Sequence, residues 1–432
     1  MSKRMKLLSL ALVLIFVFSL AACGQSNGGG STTAKSEAAA TKSTTAENTK
    51  AQKSRVVNLY SNLGSDVSIQ ILIDEFKTKT GIEINNMIAP TVTDELKAKL
   101  TTMLASSDDS IDVMWLDELM GVTFAKAGYF EPIDDVMTSD VIKNFSADVI
   151  KNIDQSDGKT YMVPMSTDVM FFWCNKDMLS AAGFNPPTTM EEFLTTAKAL
   201  TKGDVYGYGA SWAKGGYLYN DAIRYINQFG GNFLDWSNPG TKEGLQFMYD
   251  LIYKYKVTPE AAIGETYEVM NPKFEQGKYA MMFQWTYVAT GLQDKFPKSL
   301  DIFPVPMYKN NTTISAGWHM AMNANAKNKA EGKELMKFFA GKDGQMVFTK
   351  LLTKSAASKE VLNDPAVTKE LPTLKYAGQY ADAGSLVPRP MHSKVNQIMD
   401  TTETLISSFL SKQISIDECI TKGQEELNKL LK

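Results

Sequence analysis

The chain has 432 residues, 44% of them apolar and 22% charged, with a formal net charge of −3. That balance fits a globular body and lacks the basic excess that a nucleic-acid surface requires. Three cysteines in the whole chain exclude a disulfide-stapled scaffold.

The first residues stand apart from that body. Lys3, Arg4 and Lys6 make a basic start, and Leu7 to Ala22 is apolar except for Ser9 and Ser19. The run is shorter than the roughly 20 residues of a membrane-spanning helix, so residues 1–22 read as a secretory signal peptide. Leu20-Ala21-Ala22-Cys23 resembles the lipobox of bacterial lipoproteins. That resemblance implies cleavage before Cys23 and a diacylglycerol on its thiol; the alternative is an ordinary cleavage that leaves the thiol free. A lipoprotein cysteine carries at least two acyl chains, enough for stable anchoring. Residues 24–54 hold no aromatic or branched apolar side chain. Such a stretch cannot offset its ordering entropy and reads, with Cys23, as a flexible tether over 23–54, on the order of 30 Å from end to end.

The body opens on a strand, Val56–Tyr60, followed by turn-prone residues from Ser61 to Ser65. Apolar residues at Val67, Ile69 to Ile73 and Phe76 predict a helix that stops at Gly81. A second strand at Ile82–Ile88 precedes a helix capped by Thr93 or Asp94, and Ile111–Asp117 predicts a third strand. Strands alternating with helices predict an α/β fold with a largely parallel sheet. Ligands of such sheets bind beyond the carboxyl ends of the strands, where Asn62 and Asp117 lie.

From Asp157 to Thr201 a set of short motifs appears in order. They are Gly158-Lys159, Tyr161, Val163-Pro164, Cys174-Asn175-Lys176-Asp177, Ala182-Gly183, Pro186-Pro187-Thr188-Thr189 and Met190 before Glu191-Glu192. The segment resembles the signature of family 1 extracellular solute-binding proteins, the maltose-binding-like group serving ABC importers. Further matching stretches are Gln228–Asp235, Phe274–Ala289, Phe303–Lys309, the run from Ser315 to Phe348, and Leu386–Pro390. One departure is Cys174, where the family usually has tyrosine; a packing change is expected there.

The resemblance implies a two-lobed periplasmic-binding-protein-like fold, type II, with a ligand cleft between two α/β lobes. Lobe 1 is expected at 55–166 plus 313–363, and lobe 2 at 167–312 plus 364–432. It further implies a monomeric, non-enzymatic receptor without a cofactor, lipid-anchored on the extracytoplasmic face of the membrane, as on the outer surface of a Gram-positive cell. Its partners would be a sugar or oligosaccharide and the permease subunits of an importer.

A sugar site combines aromatic platforms with hydrogen-bonding side chains. Trp212, Trp285 and Trp318 each sit beside a glycine-rich or polar junction and are candidate platforms, with Tyr217 near the first. Trp115 and Trp173 lie within strands and read as core, and Trp236 follows a turn and reads as peripheral. Asp168, four residues past Pro164, can accept sugar hydroxyls or stabilise a hinge. Arg389, between Pro388 and Pro390, can fork onto hydroxyls or pair with a carboxylate. Asn62 and Asp117 complete the candidate set.

Catalytic signatures are sparse. The chain has two histidines, His319 and His392, with no zinc-binding helix spacing, no Gly-x-Ser-x-Gly elbow and no phosphate loop. Three readings stay open: the lipid-anchored sugar receptor, a secreted carbohydrate-active enzyme using a carboxylate pair such as Asp117 and Asp168, and the same fold with another role. That last would bind a polyamine, ferric ion or peptide, or serve as a kinase's sensing partner. Buried free thiols are expected at Cys174 and Cys419.

Overall fold

Strand β1, Val56–Ser61, buries Val57 and Leu59 on one face and Tyr60 on the other, as the two-residue period of a pleated strand requires. It pairs in parallel with β2, Glu83–Ile88, along its whole length, and with β3, Val113–Asp117, at Leu59 and Tyr60. The computed structural model describes residues 55–432 except 66, 290, 293–299, 304–307, 353, 371–376, 378–379, 381–382 and 384. The signal peptide, Cys23, the tether and part of Phe303–Lys309 lie outside the described residues.

The helices Val67–Thr80 and Thr93–Ala105 connect these strands. Each buries one apolar stripe, Ile69, Leu72 and Phe76 in the first and Leu96, Leu100 and Leu104 in the second. Val92 occupies the N-cap of the second helix and makes no side-chain cap, so neither Thr93 nor Asp94 caps it as expected. Asp94 and Glu95 fall in its first turn instead, where negative charge suits the helix dipole.

A short hairpin of β4, Gln155–Ser156, and β5, Lys159–Thr160, leads into β6, Met162–Asn175. This 14-residue strand is the spine of the molecule. Its first half pairs antiparallel with β10, Thr313–Met322, and its second half with β8, Tyr279–Trp285, and β9, Leu300–Phe303. β7, Tyr206–Gly209, extends β8 in parallel, and β11, Leu386–Pro388, runs parallel to the start of β10. β10 closes the circuit by pairing antiparallel with β3. Among the described residues the order is β2-β1-β3-β10-β6-β8-β7.

The expected largely parallel sheet is therefore mixed. Parallel pairing holds for β2-β1-β3, β7-β8 and β10-β11, while the central pairs are antiparallel. The alternation that predicts parallel pairing lies before Glu118. The strand that reverses direction beside β3 arrives almost two hundred residues later.

Side chains collect into cores on either side of this spine. Val163 and Met165 of β6 join Val57, Leu59, Trp115, Met320 and Phe339, and the other face of β1 and β3 packs Tyr60, Met114 and Leu116. Beyond Asp168, residues Val169 to Cys174 join Tyr208, Trp212, Ile223, Trp236, Met282 and Phe409. Trp173 is core as expected, its indole donating to the Gln284 carbonyl at 2.9 Å. Trp236, expected at the periphery, is buried edge-on to Phe233 and donates to that residue's carbonyl at 2.8 Å. Cys174 and Cys419 are both buried and form no disulfide, as expected.

The Thr-Glu-Glu part of the signature has a local function. Thr189 accepts the Glu192 N–H at 3.2 Å, and Glu192 accepts the Thr189 N–H at 3.3 Å, a capping box that starts the helix Met190–Leu200.

Candidate ligand cleft

A cavity of about 650 Å³ opens where the two sets of side chains meet, within the range of small-molecule sites. The carboxyl ends of β1 and β3 bring Asn62 and Asp117 to it. The crossing strands bring Asp168 from β6 and Trp318 from β10. The far wall carries Tyr217, Asn220, Tyr267, Glu268 and Trp285, and Arg389 closes the base. Seven of the eight expected ligand-site residues thus share one cavity: Asn62, Asp117, Asp168, Tyr217, Trp285, Trp318 and Arg389.

Trp212 is the correction. It is wholly buried away from the cavity, and its indole N–H donates to Asp221 at 2.8 Å. Asp221 in turn pairs with the buried Arg224 at 2.8 Å, whose guanidinium lies 3.6 Å from the Phe283 ring centroid. Trp212 is committed to this internal cluster and cannot present a face to a ligand.

Arg389 holds two carboxylates at once. Its Nη2 donates to Asp117 Oδ2 and its Nε to Glu118 Oε1, each at 2.8 Å. Asp117 Oδ1 accepts the Leu119 N–H at 2.9 Å and so starts the helix Glu118–Lys126. Of the two roles expected for Arg389, the carboxylate pairing is the one this geometry uses.

Behind this group lies a second buried pair. Glu118 Oε2 accepts the Gly317 N–H at 2.7 Å and stands 4.0 Å from His319 Nε2. His319 Nδ1 meets Asp154 Oδ1 at 2.7 Å. Burial acts to lower the His319 pKa, but Asp154 and Glu118 outweigh it and hold the imidazole up at about 9. Burial raises Asp154 to about 6, against the opposing pull of His319. Burial likewise acts to raise Glu118, yet Arg389 and His319 leave it below the ordinary range.

Aromatic rings line both sides. Trp318 stacks on Trp115 with centroids 5.7 Å apart and planes 11° from parallel. Across the cavity Tyr217 meets Tyr267 edge-to-face at 4.8 Å. The Tyr217 hydroxyl donates to Glu268 at 3.3 Å.

The hydrogen-bond inventory of the far wall is unbalanced. The Tyr267 oxygen accepts from Trp285 Nε1 at 3.0 Å and from Asn220 Nδ2 at 3.5 Å, which leaves its own hydrogen to donate elsewhere. Asn220 Oδ1 has no partner among the described residues. Asp168 accepts hydroxyl hydrogens from Thr286 at 3.1 Å and Ser166 at 3.3 Å, and an ionised carboxylate has room for more. The lining residues thus hold one donor hydrogen and several acceptor positions that no other described residue takes up.

A model of the family described as bacterial extracellular solute-binding protein matches residues 60–346. The chain belongs to that family. A probable ABC transporter-binding protein from Deinococcus radiodurans is 25% identical over 362 residues, covering 79% of this chain and 84% of the relative. A maltotriose-binding protein from Pyrococcus abyssi is 24% identical over 343 residues, 73% of this chain and 69% of that protein. Among solved structures, maltose-bound MalE3 of T. maritima superposes with a TM-score of 0.79 at 23% identity, over 87% of this chain and all of that one. A solute-binding protein from Agrobacterium radiobacter in complex with ribitol gives 0.72 at 24% identity, over 87% and 98%. These likenesses establish the two-lobed, maltose-binding-like architecture.

Several lining residues of this solute-binding protein escaped the sequence reading. Trp115 is core as expected and also borders the cavity; it is two positions from Asp117 on one strand, so the period of two puts both on one face. Asn220 follows Tyr217 by three on one helix, the same kind of signal. Tyr267 had none, and neither did Glu118, which holds Arg389 without lining the cavity, because their importance comes from partners distant in the chain.

Among the described residues no group of three or more His, Cys, Asp or Glu side chains could hold a metal ion.

Proposed function

We propose that this solute-binding protein captures a sugar or oligosaccharide in the cleft and delivers it to the permease of an ABC importer. The observation that carries the reading is the hydrogen-bonding capacity of the cleft lining, where Tyr267 has a hydrogen to donate and Asn220 and Asp168 have acceptor capacity beside aromatic rings. A sugar hydroxyl both donates and accepts, and the C–H face of its ring suits Trp285 and Trp318. The maltose and ribitol complexes of similar proteins make oligosaccharides and polyols the natural ligands to try.

An enzymatic role for the carboxylates fits less well. Asp117 is tied by Arg389 and by the Leu119 N–H, so it is not free to act as a general acid or base.

Closure is read as a population shift driven by contacts to both lobes, divided at 55–166 plus 313–363 and 167–312 plus 364–432. The receptor is read as a monomer, carried on the extracytoplasmic face of the membrane by lipid on Cys23, with residues 23–54 as its tether. Titration calorimetry against maltose, maltotriose, ribitol and mannitol tests the ligand class. Saturable binding of at least one is expected, and no heat from any of them at millimolar concentration would overturn it. For the anchor, Cys23→Ala should free the protein from the membrane and leave ligand affinity unchanged; loss of affinity would contradict a simple tether.

A further inference from the structure

Glu403 lies on the helix Val395–Leu410, is 1% exposed and does not line the cleft. Its Oε1 accepts the backbone N–H groups of Gly216 at 2.9 Å and Tyr219 at 3.0 Å, and its Oε2 accepts that of Gly215 at 2.9 Å. These three donors surround the start of the helix Tyr217–Gln228. The first N–H groups of a helix have no partner within it and carry the positive end of its dipole. Gly216, the N-cap residue, has no side chain to serve them, so a carboxylate 187 positions away does.

The turn so held is part of the cleft wall. Gly215 and Gly216 adopt left-handed φ angles of 103° and 98°, open to glycine because it has no Cβ. Gly215, Gly216 and Tyr217 line the cavity, as does Asn220, which is 6% exposed and carries the unpartnered Oδ1. From the helix Thr93–Ala105, Asp94 reaches the same turn: a Cβ on Gly215 would stand 2.5 Å from its Oδ2. Two carboxylates from different helices therefore approach one turn.

We infer that Glu403 is a positioning residue for ligand binding, its carboxylate holding the Gly215–Gly216 turn, and with it Tyr217 and Asn220, in the binding-competent place. The inference rests on the cleft being the ligand site and adds a residue that never touches the ligand. Both oxygens are used as acceptors, so a proton on either one removes an acceptor from the turn. Burial raises the Glu403 carboxyl to about 7 even though the three N–H donors pull it down, and Asp94 adds to the rise. The titratable groups near it are Asp94 from the helix Thr93–Ala105 and Tyr219 from the capped helix.

The test follows the full chain, labelled with nitrogen-15, from about pH 5 to about pH 9. The amides of Gly215, Gly216 and Tyr219 should titrate together in the wild type and not in Glu403→Gln. Maltotriose is the binding probe, with maltose, ribitol and mannitol used if it does not bind. Glu403→Gln should bind the probe about tenfold more weakly than the wild type. Glu403→Asp, which keeps the charge on a shorter arm, should fall between them. If Glu403→Gln fails to fold, the wild type alone decides, because its affinity should weaken below pH 7 in step with the three amides.

Amides that ignore both pH and substitution would overturn the inference. So would a Glu403→Gln protein that binds the probe as tightly as the wild type. A wild type that binds no probe is a different failure and overturns the cleft reading itself.

Discussion

Glu118 Oε2 accepts the backbone N–H of Gly317 at 2.7 Å, across 199 positions of sequence. The first carboxylate of the helix Glu118–Lys126 thereby grips β10 beside Trp318. Its other oxygen takes Arg389 from the segment after β11, so one side chain ties β10 and that segment to the end of β3. Ligand contacts at Asp117 and Arg389 would be felt by both segments directly.

Removing that carboxylate should be costly. Glu118→Ala leaves the Gly317 N–H without its acceptor and Arg389 short of one counter-charge, both buried. Breaking a buried pair on one side costs about 3–5 kcal/mol. Urea unfolding of Glu118→Ala should show a loss in that range, and Glu118→Gln, which keeps one acceptor oxygen, a smaller one of about 1–3 kcal/mol. A loss below about 1 kcal/mol in the alanine variant would contradict the clamp.

His319 gives the fold a pH dependence of definite sign. Its folded value of about 9 exceeds the ordinary 6.5, so the stability it contributes is full below 6.5 and is lost as pH rises through about 9. Asp154, raised to about 6 from 3.8, acts in the same direction at lower pH, its contribution fading as pH rises through about 6. Wild-type stability should therefore decline between neutral pH and pH 9. His319→Gln should be less stable at neutral pH and should flatten that decline. Parallel curves for the two proteins over this interval would show that the imidazole is not the titrating group.

Trp212 and Trp285 should part company in their effects. Trp212→Ala removes a wholly buried indole and the donor to Asp221 Oδ2, and large-to-small core changes at tryptophan cost about 3–5 kcal/mol. Trp212→Phe keeps most of the bulk and should lose about 1–3 kcal/mol with the Asp221 hydrogen bond. In thermal melts Trp212→Ala should be among the most damaging single changes, while Trp212→Phe should bind ligand as the wild type does. Reduced affinity in a folded Trp212→Phe protein would return Trp212 to the cleft.

How far the sequence could be read depended on the range of the interactions. Helices with apolar stripes, such as that of Ile69, Leu72 and Phe76, and the strand ends carrying Asn62 and Asp117, are local patterns and were legible. The family motifs located the long strand β6 and, through Pro164, the position of Asp168. Trp212 was misread because the glycines around it looked like loop. Gly209 is instead a glycine of packing, since a Cβ there would stand 2.3 Å from the Tyr279 ring, and Gly215 and Gly216 serve the turn. The Arg389–Glu118–Gly317 cluster and the Glu403 cap join residues some two hundred positions apart or more, or nearly so, and no periodicity reports them.

The most direct test of the whole account is the affinity of one ligand for single variants of the two facing walls. Trp318 stands on β10 and Trp285 at the end of β8, on opposite sides of the cavity. With whichever sugar or polyol binds the wild type in calorimetry, Trp318→Ala and Trp285→Ala should each weaken binding by about tenfold or more, as expected for buried aromatic contacts. Full affinity in both variants would contradict a ligand held between the lobes.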